Sequence, residues 1–518
     1  MQKFATLLVA LGVLAAPLSV NAATYYVDRT AGNDANNGTT PATAWRGVPG
    51  MAGYAGSKTL TAGDIVYFDS ADTWDVGGGS WGLYLVGGVT YIGNEWGSGT
   101  RARIRATTGF DAGLVRFKDH PTVATVFKGF DVDANKQVTN GIDVNTGFWQ
   151  LMNGATKRIQ DNIVHGVYSE VGRGEYRYGI IVSNHGGTGG YAENVEIINN
   201  VVHDISRDAI CLYPGDESAN NRIRNLLVRG NEAYGTGTDP GYCCGSGILI
   251  KGYVVDAVVE YNYVHDVKGA SVFVNSNESS HYGTGPTNIH IRHNILTNST
   301  QNGAFLVYDG SGGADPKDLS FYGNIVYNST VNAGLLMHSD LGGSISLRVF
   351  NNTFHNAPVR IENSAANFTT FEFRNNIVSY PGGLPMSDAG GKITAHSNNL
   401  FYRTSGTLVS ASGSNYSASN LGSYEPSALG SNPAFKDALN LPTGFSGTFQ
   451  LSLAPLSDGL SLQTGSAALN AGAVLGQAYS TSINSVGRPA TGSWDMGAYQ
   501  SGGVVALRPN PPTNVQVN

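Results

Sequence analysis

The sequence predicts an all-β chain folded as a right-handed parallel β-helix, with an N-terminal cap and irregular C-terminal coils. Three observations predict it. The first is composition: charged residues are only 13%, while Gly reaches 69 of 518 and Tyr 26. Ordinary globular chains carry about 25% charge and ~7% Gly, so turn-rich β-structure is favoured over helices. The second is a repeat, an alternating apolar stretch followed by Asn and two or three mostly apolar residues. The third is another short apolar stretch between successive copies of that repeat.

The repeat places Asn at 162, 200, 231, 262, 294, 324, 352, 376 and 399, with spacings that run from 38 down to 23 residues. Self-similarity at such a period marks a solenoid, and period-2 alternation makes its rungs strands. The intervening stretches are Gly179-Ile-Ile-Val, Ala209-Ile-Cys-Leu, Gly247-Ile-Leu-Ile, Ser271-Val-Phe-Val, Ala304-Phe-Leu-Val, Gly334-Leu-Leu-Met and Pro358-Val-Arg-Ile. Each coil therefore holds at least two strands, and coils about 4.8 Å apart make this segment roughly 38 Å long. Asn suits the corner because it tolerates left-handed backbone and its amide can bond to the Asn one coil away. Helical repeats are excluded, since no 3.6-period segment fills the unit, and a propeller needs a longer unit of about four strands.

The domain organisation follows. Met1-Gln2-Lys3, an apolar run from Phe4 to about Val20 and Val20-Asn21-Ala22 read as a secretory signal peptide over 1–22. Residues 23–120 form the cap and first coils, 121–403 the regular β-helix, 404–502 the C-terminal coils and closing segment, and 503–518 a Pro-rich, linker-like tail. The early segments Tyr25-Tyr-Val-Asp28, Gly32-Asn-Asp-Ala-Asn-Asn-Gly38 and Gly63-Asp-Ile-Val-Tyr-Phe68 resemble the start of secreted pectate-lyase-like β-helix proteins. Gly487-Arg-Pro-Ala-Thr-Gly-Ser-Trp-Asp-Met-Gly-Ala-Tyr499 is similar to their closing segment. The resemblance implies a carbohydrate-active protein and leaves the individual family open.

A net charge of −7 provides no basic field for nucleic acid, so local cations would have to meet an acidic substrate. After signal removal no membrane association is expected; the protein should be secreted or periplasmic, and the oligomeric state stays open, with a monomer favoured. Cys211, Cys243 and Cys244 are too few for a disulfide framework. A bridge from Cys211 to the adjacent pair and a vicinal bridge both remain open.

Aligning the second strands produces a column just beyond each apolar run: Ser183, Tyr213, Lys251, Asn275, Tyr308, His338 and Glu362. The resemblance implies β-elimination on an acidic polysaccharide, such as alginate or a related uronic acid polymer. That reaction needs a base for the proton beside the carboxylate, a cation to neutralise it, and an acid for the leaving oxygen. Lys251 is the expected base, Tyr308 or His338 the acid or alternative base, and Arg207 a catalytic cation. Arg177, Tyr213, Tyr242 and Asn275 are expected to hold the sugar, Arg177 and Arg207 through bidentate contacts. A Ca²⁺ on Asp216, Glu217 and Asp239 could replace the arginines; no organic cofactor is expected. Two further readings stand beside the lyase: a glycoside hydrolase using two carboxylates among Asp208, Asp216, Glu217 and Asp239, and a non-catalytic carbohydrate-binding or adhesive rod. His165, His203 and His265 recur after the Asn rung and are read as structural.

Overall fold

The computed structural model describes residues 22–77, 81–107, 110–145, 152–168, 177–184, 191–215, 222–239, 245–276, 285–308, 316–338, 345–362, 368–448 and 452–502. The expected signal peptide (save Ala22), the tail, Cys243 and Cys244 lie outside them. The fold is a right-handed parallel β-helix. A coil holds three strands where the sequence pattern marks two: Arg222–Arg229, then Glu232–Thr236, then Ile248–Lys251, before Val254–Glu260 begins the next. Among the described residues the strands stack into a first sheet of 13, a second of 13 and a third of 12. Taken in chain order, each coil visits the first sheet, the third, then the second. No described helix is long and apolar enough to cross a membrane.

Alternation decides which side chains enter the core. On the first sheet Val228, Val259, Ile291, Phe321, Val349 and Phe373 pair coil to coil in register and are at most 1% exposed. Each such burial contributes about 1.5–3 kcal/mol before chain entropy is subtracted.

The corner between the first and third sheets is a continuous asparagine ladder. Asn294 shows the pattern: its backbone N–H and Nδ2 both donate to Asn324 Oδ1, at 2.9 and 3.0 Å, and Nδ2 also donates to Val259 O at 2.9 Å. The same bonds run from Asn162 to Asn399. Glu425 ends the run by accepting from Asn399 N at 2.8 Å and Asn399 Nδ2 at 2.9 Å. One expectation is corrected here. The left-handed backbone falls on the residue before each ladder Asn, at Asp161, Asn199, Gly230, Tyr261, His293, Gly323, Asn351, Asn375 and Asn398. The ladder Asn is buried and supplies the cross-coil bonds, whereas its predecessor makes the bend.

Those bent positions also hold the C-terminal segment. The strand pair Val409–Ala411 and Ser414–Tyr416 ends the second sheet with an antiparallel pairing. The remainder returns along the outside of the third sheet. There Phe435, Leu460, Ile483, Met496 and Tyr499 pack on Ile295, Ile325, Tyr327, Ile377 and Leu400. Asn351 Nδ2 donates to Asp495 O at 3.2 Å and Asn375 Nδ2 to Ala473 O at 2.8 Å. Burial pulls His293 down to about 3, so its neutral ring donates Nε2–H to Thr481 O at 2.9 Å. The closing segment is thus a strap along the flank.

Candidate active site

The outward column predicted on the second sheet exists in the predicted register. Ser183 pairs with Tyr213, Lys251 with Asn275 and Asn275 with Tyr308. His338 follows Met337, which pairs with Val307, and His338 Nδ1 lies 3.8 Å from Glu362 Oε2. Lys251 Nζ sits 4.5 Å from the Tyr213 ring centroid, a cation–π contact. Tyr308 and His338 meet edge to face with centroids 4.7 Å apart. Beside this column, two residues earlier in each strand, Ile181, Cys211, Leu249, Phe273, Leu306 and Leu336 form a buried apolar stripe on the outer face.

At the start of these strands the polar groups converge. Arg177 contacts Asp239 through Nη1 and Oδ2, so two residues expected to serve substrate and metal separately are an ion pair. Lys268 Nζ donates to Asp239 O at 3.3 Å. The Arg207 guanidinium lies 5.3 Å from the Tyr178 ring centroid. Asp208 is 1% exposed; its Oδ1 accepts from Ser246 N at 2.6 Å, and its Oδ2 has no hydrogen-bond partner and lies 3.8 Å from Arg207 Nε. Burial raises the Asp208 carboxyl above the usual range, although Arg207, the Ser246 N–H and Lys251 oppose the shift. Burial, together with the charge of Asp208, likewise pushes the Cys211 thiol far up, leaving an inert floor residue. Arg177, Arg207, Tyr178 and the buried Asp208 thus stand at the start of the strands, and Lys251 with Tyr213 at their ends, on one outer face.

Towards the C-terminal end the column opens on a groove of about 490 Å³. Its lining includes Leu306 and Leu336 below and His338, Arg360 and Glu362 around it. Of the remaining expected residues, Tyr242, Asp216 and Glu217 lie outside the described residues, and with the latter two goes most of the expected Ca²⁺ set. Among the described residues the carboxylates that gather closely enough for a divalent cation are Asp28, Asp69 and Asp72, within 4.8 Å of one another in the N-terminal cap. Asp28 and Asp69 also accept local backbone N–H groups, from Ala31 and Ala71, as turn-forming carboxylates do, while Asp72 accepts the N–H of Arg29 from 43 residues away.

Sequence reasoning missed Asp143 and Arg116. Asp143 pairs with Ile181 on one side and Arg116 on the other, which places all three on the outer face. Asp143 is 3% exposed, and burial raises its carboxyl to about 6 against the pull of Arg116. A signal was available: Gly141-Ile-Asp-Val-Asn145 repeats the pattern of Gly179-Ile-Ile-Val-Ser183 one coil earlier, with an acid where later copies are apolar.

A family described as "Disaggregatase related" matches residues 192–314, the coils that carry Arg207, Tyr213, Lys251 and Tyr308. No curated protein sequence matches the chain. Among solved structures, pectate lyase Pel9A is 14% identical with a TM-score of 0.47, covering 92% of this chain and 96% of its own. XylC in complex with xylose is 10% identical at 0.47, covering 93% and 98%. A GH136 lacto-N-biosidase from Eubacterium ramulus is 16% identical at 0.46, covering 75% and 65%. The likeness is one of fold.

Proposed function

We propose that the protein is an exported polysaccharide lyase that cleaves a uronic acid-containing polymer on the outer face of the second sheet. The observation that carries the reading is a set of cations along one outer face, Arg177 and Arg207 with Tyr178 and Asp208 at the strand starts and Lys251 on Tyr213 at the strand ends, in a chain whose net charge is −7. In a chain with that balance, a local group of cations is what an anionic sugar requires. Arg207 neutralises the substrate carboxylate and so makes a carbanion-like state tolerable. Lys251 removes the proton next to that carboxylate. Tyr213, in contact with Lys251, is nearer to it than Tyr308, which stands two coils on, about 10 Å along the axis. Tyr213 therefore donates to the leaving oxygen, while Tyr308, His338 and Asn275 hold neighbouring sugars.

A hydrolase reading has one specific observation in its favour. Asp208 is raised by burial while Asp239 is paired with Arg177, and two carboxylates in different environments can divide acid and base roles. Incubation with acidic and neutral polysaccharides, following ultraviolet absorbance and reducing ends together, separates the readings. Absorbance rising with the ends on a uronic polymer is expected. Ends without absorbance would replace the lyase by the hydrolase, and neither signal on any polymer would leave a binding rod. Neutralisation by arginine further predicts turnover indifferent to chelator; loss on chelation and recovery with Ca²⁺ would transfer that role to a metal.

A further inference from the structure

The outer face of the second sheet continues below the proposed catalytic coils, and there the side chains change character. Tyr84 pairs with Arg116, and Arg116 with Asp143, on consecutive coils. The Trp81 ring lies 5.1 Å from that of Tyr84, and the Arg116 guanidinium sits 5.3 Å from the Trp81 centroid. Trp81, Tyr84 and Arg116 are only partly buried. Asp143 Oδ1 is buried with no hydrogen-bond partner, and so is Arg116 Nε. A buried acceptor without a donor costs about 1–3 kcal/mol, and the surroundings preserve this one. A Cβ on Gly113 would come within 2.6 Å of Asp143 Cβ, so the neighbouring strand is kept bare where Asp143 sits.

An aromatic pair, a guanidinium and an acceptor lacking its donor are the complement of one sugar ring. The apolar face of a pyranose packs on indole and phenol, a hydroxyl donates to the unpaired carboxylate oxygen, and a ring carboxylate meets the guanidinium. We infer that Trp81, Tyr84, Arg116 and Asp143 form a distal subsite for a carboxylated pyranose, with Asp143 two, Arg116 three and Tyr84 four coils below Tyr213. Those offsets, about 10 to 19 Å along the axis, are the length of a short run of sugars, so one chain could occupy both places. The inference rests on the acidic-polysaccharide reading for its substrate class, and it adds a recognition element outside the catalytic coils.

The test titrates the intact chain with oligouronates and with neutral oligosaccharides of matched length, by calorimetry. Arg116→Gln is expected to weaken the acidic ligand at least tenfold and the neutral ligand far less, because the charge it removes is met only by the acidic ligand. Trp81→Ala should weaken both ligands. Arg116→Lys retains charge but not the planar contact with Trp81 and should fall between wild type and Gln; it also guards against loss of fold in the Gln variant. Wild-type affinity in every variant, or no binding of either ligand by the wild type, would overturn the subsite. The absorbance assay on polymer judges the lyase reading independently, so the two failures are distinguishable.

Discussion

On the third sheet His165, His203, Tyr234 and His265 stack one per coil, with centroids 5.1, 5.0 and 4.9 Å apart and planes within 16° of parallel. On the second sheet Tyr213, Lys251, Asn275, Tyr308 and His338 also stand one per coil. The first column satisfies itself. Its ring faces lie against one another, and its nitrogens meet carboxylates: His165 Nε2 with Asp131 at 2.9 Å, His203 Nδ1 with Asp204 at 2.8 Å, His265 with Glu232 at 3.1 Å and Asp266 at 2.7 Å. The second column mixes a cation, an amide, phenols and an imidazole over an apolar stripe, with buried Asp143 and Asp208 beside it. In a solenoid both columns arise by the same repetition. Repetition of one chemistry builds scaffold, and variation along a column marks a surface that meets something else.

The comparison breaks first on turnover. Lys251→Ala should lower the rate by at least about 100-fold, as loss of a general base does, with a melting temperature close to wild type. His203→Ala, at an equivalent place on the other column, should leave the rate unchanged. Equal rates in the two variants would remove Lys251 from the mechanism and with it the distinction between the columns.

Scaffold repetition should be costly to interrupt. Asn294→Ala removes the acceptor of Asn262 N and Nδ2 and the donors to Asn324 and Val259. With several buried polar groups left unpaired at once, a loss of about 3–5 kcal/mol is expected, measured by denaturant unfolding. A loss below about 1 kcal/mol would mean that the ladder is decorative.

Asp143 should behave in the opposite sense. Its folded carboxyl is raised to about 6, so the native state holds a proton that the unfolded chain releases near 3.9. Stability from this group is full below that lower value, falls as pH rises towards 6, and stays reduced above it. Asp143→Asn should therefore stabilise the protein at neutral pH by up to about 3 kcal/mol and bring nothing at pH 3. A residue whose removal strengthens the fold is retained for another reason, which a scaffold position would not show.

The legibility of these features in sequence follows the same division. The Asn ladder and the strand register were readable because their chemistry recurs; Lys251, Tyr308 and His338 fell where the alignment put them. The Arg177–Asp239 pair was not readable, since it joins residues 62 apart through connections that share no pattern. Asp143 stood inside the pattern and was obscured by it, because one acid in an otherwise apolar column looks like an imperfect copy. The third strand of each coil follows its Asn so closely that the sequence shows a corner instead of a separate element.

The smallest effect is the pH response of the histidine column. The bond to Asp131 raises His165 in spite of burial. For His265 burial opposes the charge, and Glu232 with Asp266 outweighs it. Asp131 and Asp266 are lowered in turn, burial again being outweighed by their histidine partners. A raised histidine contributes stability that is full below about 6.5 and is lost as pH rises through its folded value; a lowered aspartate contributes stability present above about 3.9 and lost as pH falls through its own. Both contributions coexist between those limits, so the column should stabilise most near pH 5. The melting temperature of His165→Gln should differ most from wild type there, and above pH 8 the difference should shrink to what the lost ring stacking leaves. That shrinkage isolates the charged part of the column, whereas a difference constant in pH would assign its whole contribution to packing.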